Sequence, residues 1–333
     1  MNRRPLGPLF GAAVLLVLGA RPSAGQAYIP PAGDGTVSVS FQSVHTSLQL
    51  DSKGTKGDGP ETTDTQALIW HVEYGLTDKL AVHASLPFMA VKYTGPLPHT
   101  EGRDLQPSDW DDGTYHSAFQ DFYFGVRYGL VQSPRFALAP FAEVVVPSHR
   151  YETLAQSAVG RDARVLLVGA AVGGFADGVL PGLYYQARIS YGIAQDVVDI
   201  RTNRTGIDSA VGYFVTPRLA VQFVETFQYL HNGMYFIFEP EFQADITGDG
   251  PIIDDHWISH DRLLRSRVVT LGGGLTYAIS DSIGLFATGT TIAWGRSLPR
   301  PVRSLTVGLN WNFQTRRSPS SAHPSVSRPV RRP

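Results

Sequence analysis

Acids, histidines and arginines recur at every second position within apolar stretches of this sequence. His71 and Glu73 alternate with Trp70, Val72 and Tyr74; His83 alternates with Val82 and Ala84; Asp121 and Arg127 alternate with Phe122, Phe124 and Val126. Glu143, Arg164, Arg188 and Asp208 extend the pattern. A period of two puts such side chains on one face of a strand and the large apolar ones on the other. Nine ionisable positions are thus expected on one polar face: His71, Glu73, His83, Asp121, Arg127, Glu143, Arg164, Arg188 and Asp208, beside Gln66, Tyr123, Tyr184 and Gln186. Their signs are mixed, so the expected chemistry is a polar wall, not a one-sign filter. Either it lines a path for a small solute, or ion pairs fill it, Arg127 with Asp121 or Glu143, and Arg164 or Arg188 with Asp208.

Other chemistry finds less support. His71 and His83 flank the turn 75–78 and would stand opposite each other if Glu73 pairs with Ala81. With Glu73 they offer imidazole and carboxylate donors but no complete ligand set, so no metal is assigned. Loop 94–115 carries Glu101, Asp104, Asp109, Asp111 and Asp112, and loop 232–263 carries seven acids from Glu239 to Asp261. Carboxylates take hard cations, but the run Asp245 to Asp255 lacks the alternation and closing Glu of a calcium loop, which favours solvated acidic loops. No Gly-x-Ser-x-Gly, His-Glu-x-x-His or Gly-Lys-Ser/Thr motif is present. Tyr229-Leu-His231-Asn-Gly233 comes nearest to the His and Ser pair of an outer-membrane acyl hydrolase, but lacks the Ser two residues on. No enzyme and no cofactor are read. The absence of Cys excludes thiolate sites and a disulfide scaffold.

The elements that must position the polar face are long strands. Twelve are expected, at 36–50, 61–74, 79–93, 116–130, 135–147, 162–175, 182–194, 204–215, 218–231, 264–278, 283–294 and 304–313. Most exceed the 9 to 11 residues or so with which a tilted strand crosses a bilayer. The connections between them alternate long and short, the even-numbered ones being the short ones, as in an up-and-down barrel with short periplasmic turns and long extracellular loops. Tyr74, Tyr128, Tyr213 and Tyr277 each close a descending strand on its apolar face, with Phe175 expected in the equivalent place, and such a level of amphipathic rings suits a membrane interface. A secreted β-sandwich also alternates, but its strands are short and its connections need no such order. The fold expected is all-β, a twelve-stranded antiparallel up-and-down transmembrane β-barrel. Glu225 falls on the apolar face, where an acid is costly.

The flanks have other characters. Residues 1–27 carry early arginines, an apolar stretch from Leu9 to Ala20 and small residues near Ala24, the layout of a signal peptide. Residues 314–333 are rich in Pro, Ser and Arg and read as a disordered tail behind a barrel at 28–313. With the leader and tail arginines set aside, the formal charge of −1 becomes −9 for residues 27–313, which gives no support for nucleic-acid binding.

Tyr74-Gly-Leu-Thr-Asp-Lys-Leu-Ala-Val, Asp121-Phe-Tyr-Phe-Gly-Val-Arg-Tyr, Val144-Val-Val-Pro147 and the closing Trp294-Gly-Arg with Val307-Gly-Leu-Asn-Trp-Asn-Phe make the chain similar to the outer-membrane transporter family named for the phenol meta-cleavage pathway. That resemblance implies a barrel encoded near genes of aromatic degradation, with transport as its role. The expectation is a bacterial outer-membrane channel for passive passage of a small solute, aromatic or hydrophobic if the resemblance carries over. The alternative is a barrel with a closed lumen whose extracellular loops bind surface ligands or ions. Partners expected are outer-membrane lipid and lipopolysaccharide, the barrel-insertion machinery, for which the aromatic end at Phe313 resembles the terminal signal, and the solute itself.

Overall fold

Alternating sequence builds sheet because successive strand side chains point to opposite faces, so each segment can give one face to lipid and the other to the interior. The computed structural model describes residues 27–57, 60–95, 108–234 and 259–315. The leader up to residue 26, the tail beyond 315 and most of loops 94–115 and 232–263 lie outside the described residues. Twelve long strands close into one antiparallel barrel. They are β1 (Asp34–Leu50), β2 (Thr62–Thr77), β3 (Leu80–Thr94), β4 (Asp121–Tyr128), β5 (Phe136–Pro147), β6 (Val165–Phe175), β7 (Leu183–Ala194), β8 (Arg204–Phe214), β9 (Leu219–Leu230), β10 (Arg267–Ala278), β11 (Ile283–Arg296) and β12 (Leu298–Gln314). Each pairs with its chain neighbours, and β12 returns to β1 with Gln314 facing Asp34 and Leu298 facing Leu50. Closure leaves no open edge, which a sheet in hydrocarbon requires because unpaired N–H and C=O groups find no water there.

Two strands depart from expectation. β12 begins at Leu298, so only Ser297, with φ 50°, joins it to β11 and the long connection 295–303 does not exist. The ladder between β11 and β12 ends at Thr290–Ser304, above which β11 pairs with β10 and β12 with β1. The segment 116–130 is interrupted. His116–Phe119 pairs with β3, then Gln120 N donates to Pro87 O at 2.9 Å before β4 resumes. Pro87 has no N–H, so a regular ladder cannot pass it.

The outer face is apolar. Phe223 is 53% and Leu305 54% exposed, and Phe124, Val144, Leu166, Ile189 and Leu275 share their orientation, an arrangement sustainable only against lipid. Tyr74, Tyr128, Tyr213 and Tyr277 stand at the short-turn end of this face, Tyr74 stacked on Phe313 with ring centroids 6.4 Å apart. Phe175 is not among them, because it shares parity with the buried Val165 and Leu167 and pairs with Tyr184 on the inner side. Gln66 also changes sides. It shares the outward parity of Leu68, is exposed, and donates from Nε2 to Tyr115 Oη at 3.3 Å.

The interior is filled from both ends. At the short-turn end, residues 27–33 cross the inner wall as a strap: Ala27 packs on Ala137 and Ala171, and Ile29 on Ala81 and Ala139. Gln132 pins it, donating from Nε2 to Ala27 O at 2.9 Å and accepting Ile29 N at 3.1 Å. Only glycine fits at 75, since a Cβ there would lie 2.3 Å from Pro31 O. At the other end the connection 148–164 folds inward, and Tyr151 and Val159 pack on Ala67, Met89 and Val91 of β2 and β3.

Candidate conduit through the barrel

The charged inner wall is assembled by register. Glu73 faces His83, His83 faces Gly125, Gly125 faces Glu143, and Arg188 faces Asp208. The first pairing corrects the expected one. The β2–β3 turn has two residues between Thr77 and Leu80, with an irregularity at Gly75 and Thr77, so Ala81 meets Gly75 instead of Glu73. His71 accordingly faces Ser85, and its ring meets that of His83 only diagonally, with centroids 5.9 Å apart.

Gly125 explains the centre of the wall. His83 and Glu143 lie on strands either side of β4, and because Gly125 carries no side chain, His83 Nε2 reaches Glu143 Oε2 at 2.7 Å. A Cβ at Gly125 would lie 2.5 Å from His83 Cε1. Glu143, only 1% exposed, also accepts Arg188 Nη2 on Oε1 at 3.4 Å, and the Arg188 guanidinium lies 4.0 Å above the Phe141 ring. Arg127 is ion-paired with Glu73. The alternation thus pointed to the wall but not to all its partners: Arg127 pairs with Glu73, and Arg188, which faces Asp208, also pairs with Glu143.

Eight of the nine ionisable residues singled out in the sequence point to the interior: His71, Glu73, His83, Asp121, Arg127, Glu143, Arg188 and Asp208. Arg164 does not. It is exposed, precedes the first residue of β6 and shares the outward parity of Leu166. Asp121, at the start of β4, is held away from the central pairs by Tyr151, whose hydroxyl donates to Oδ1 at 2.5 Å. Among the described residues no group of three metal-ligating side chains has a metal-holding arrangement. Glu225 stands on the outer face as its parity requires, its Oε2 accepting Ser209 Oγ at 3.4 Å.

Three connections meet at the long-loop mouth. Asp111 is 4% exposed; its Oδ2 accepts Gln156 N at 3.0 Å, and its Oδ1 accepts Ser157 N at 2.9 Å and Ser157 Oγ at 2.8 Å. Burial raises its pKa, outweighing those bonds, with the charge of Asp261 adding to the rise. The one-turn helix α1 (His260–Leu263) contributes Arg262, whose Nε donates to Arg161 O at 2.7 Å and Nη2 to Asp162 O at 2.5 Å. These contacts have no periodic signal, and an acidic loop residue such as Asp111 read as solvated.

The two sides of the interior differ. Inner residues of β3 and β5, such as Ala81, Met89, Val91, Ala139 and Val145, are buried under the strap, the inward connection and the charge pairs. Across the barrel the inner faces of β9 and β10 carry no charged side chain; Gln222, Gly272, Gly274 and Thr276 are half-buried, while Ala220, Leu230, Val268 and Thr270 are buried. A separate apolar hollow of about 560 Å³ lies on the outer wall over Val72, Val82, Phe124, Val126 and Leu166, and touches His83 and Glu143 through the gap at Gly125.

A closed barrel with an apolar outer belt and a charged interior is an integral protein of the bacterial outer membrane. No protein-family model matches the chain and no curated protein matches it. Among solved structures, the COG4313 outer membrane channel from Pseudomonas putida F1 is 14% identical, with a TM-score of 0.65 over 87% of this chain and 98% of that one. The NanC porin is 9% identical, with a TM-score of 0.45 over 83% of this chain and 98% of that one. The KdgM porin in complex with disordered oligogalacturonate is 6% identical, with a TM-score of 0.43 over 83% and 99%. At such identities the likeness to the Pseudomonas channel is one of fold.

Proposed function

We propose that this barrel is a passive outer-membrane channel for a small solute without net charge, aromatic or hydrophobic in class. The observation that supports it is the division of the interior: a charged side held together by the pairs Glu73–Arg127, His83–Glu143 and Arg188–Glu143 faces an uncharged side on β9 and β10. A neutral solute moves down its gradient along the uncharged side without having to displace these pairs. A twelve-stranded barrel lies between eight strands, which side chains fill, and the sixteen or so that leave a wide aqueous pore. The aromatic class rests on the family resemblance of the sequence. Recognition by the barrel-insertion machinery is supported by the outward Trp311 and Phe313 near the end of β12.

The competing reading is a closed lumen with ligand-binding loops, favoured by the inward packing of 148–164 and the capping of Gln156 and Ser157 by Asp111. Single-channel conductance of the refolded mature chain separates the two. The channel reading expects small steps whose ion selectivity shifts in Arg127→Ala and Arg188→Ala, and flux of a neutral aromatic such as phenol into vesicles. A correctly folded protein that conducts nothing and passes no solute refutes it.

A further inference from the structure

On the outer wall, Tyr191, Thr205, Tyr229, Arg267 and Arg296 are successive ladder partners and form one row across β7 to β11. The row stands at the long-connection ends of these strands, above Ile189, Ile207, Phe227, Val269 and Trp294. On β10 it is ten residues from Tyr277 of the opposite girdle. Ten residues span about 33 Å of strand, which a tilt of about 40° turns into about 25 Å along the membrane normal, the height of the apolar band of such barrels. With Tyr277 at the periplasmic interface, Arg267 and Arg296 stand at the level of the outer-leaflet headgroups.

Two arginines directly opposite each other on one face destabilise a sheet unless a counter-charge lies between them. Among the described residues neither Arg267 nor Arg296 is ion-paired to a carboxylate, and the outward acid of β9, Glu225, stands two rows lower. Aromatic groups hold the guanidinium planes in place. Arg267 lies 4.6 Å over the Tyr229 ring and donates from Nη2 to its hydroxyl at 3.1 Å, and Arg296 lies 5.5 Å over Trp294. Arg265 donates from Nη2 to the same Tyr229 hydroxyl at 3.4 Å, while the Nε of Arg296 has no hydrogen-bond partner. Guanidinium forks match phosphate oxygens in geometry as well as charge.

We propose that Arg267 and Arg296, flanked by Arg265, form a binding site for the phosphate of an outer-leaflet glycolipid. The phosphate supplies the missing counter-charge, and the acyl chains lie on the apolar rows formed by Ile207, Phe227 and Val269. A free phosphate has no use for those rows, and a luminal solute cannot reach the outside of the wall. The site is independent of what the lumen carries.

The test is native mass spectrometry of the full mature chain with bisphosphorylated lipid A, with dephosphorylated lipid A, or with inorganic phosphate alone. Heat-modifiable mobility verifies folding of every variant. Wild type is expected to hold the phosphorylated lipid at least tenfold more tightly than the dephosphorylated one, a difference of about 1.4 kcal/mol. Arg267→Gln/Arg296→Gln should lose that preference, and Arg267→Lys/Arg296→Lys, which keeps the charge, should retain part of it. Undiminished preference in the folded Gln variant overturns the proposal, as does a wild type indifferent to the phosphates. Inorganic phosphate binding as tightly as the lipid would overturn the lipid as its source. If the double Gln variant does not fold, Arg296→Gln alone carries the same comparison.

Discussion

Glu143 and Arg188 offer the sharpest test of how the inner wall is held. Glu143 is 1% and Arg188 7% exposed, and their charged groups approach to 3.4 Å. At an effective dielectric constant of about 20, that separation corresponds to about 5 kcal/mol of gross attraction, most of it offset by the desolvation of both groups. Removing one partner is more damaging than the net value of the pair, because it strands the other charge in a buried site at a cost of about 3–5 kcal/mol. Asp208, directly opposite Arg188, offsets some of this, so Glu143→Gln is expected near the lower end, about 3 kcal/mol. Arg188→Met keeps the apolar stem against Phe141 and strands Glu143 in turn, with His83 still hydrogen-bonded to it. The double variant leaves neither charge stranded and should cost less than the sum of the singles by at least about 1.5 kcal/mol. Equilibrium unfolding in urea from lipid vesicles, followed by tryptophan fluorescence and electrophoretic mobility, measures all four proteins. Additivity within about 0.5 kcal/mol would falsify the coupling, and the wall would then be a set of independent residues.

Gly125→Ala should push His83 off Glu143, because the new Cβ lies 2.5 Å from His83 Cε1, and cost about 1–3 kcal/mol in the same unfolding assay. A neutral result would mean that His83 finds a second position. Gln132→Ala removes the hydrogen bond that pins the strap at Ile29, so the Ile29 amide should exchange its hydrogen several times faster while the barrel stays intact. For Asp111 the raised pKa means that the folded mouth binds a proton more readily than the opened one, so its packing weakens as pH rises above the ordinary aspartate value of 3.8. Proteolysis of the connection 148–164 should therefore increase with pH over that interval, and Asp111→Asn should remove the dependence. Packing that tightens with rising pH would show that the bonds from Gln156 and Ser157 outweigh burial.

The sequence by itself determined which side of the wall most residues face, because the side-chain period of a strand is two and a barrel in lipid tolerates few exceptions. Leu68, Trp70, Val72 and Tyr74 could only turn outward together, which sends His71 and Glu73 in. The same logic turns His83, Glu143 and Arg188 inward, and it turns Gln66, which shares the even parity of Leu68, outward. Arg164 lies one residue before β6 at the outward parity of Leu166, so alternation sends it out. Only the tertiary structure decided the rest. Register depends on the geometry of a turn, and the two-residue turn before Leu80 set His83 against Glu73 instead of beside it. The reach of His83 over Gly125 joins three strands, and no local pattern encodes a contact between residues sixty positions apart. The strap and the inward mouth have no period at all. They fold inside because Ala27, Ile29, Tyr151 and Val159 find small and apolar inner-wall partners there, a complementarity that exists only once the barrel has closed.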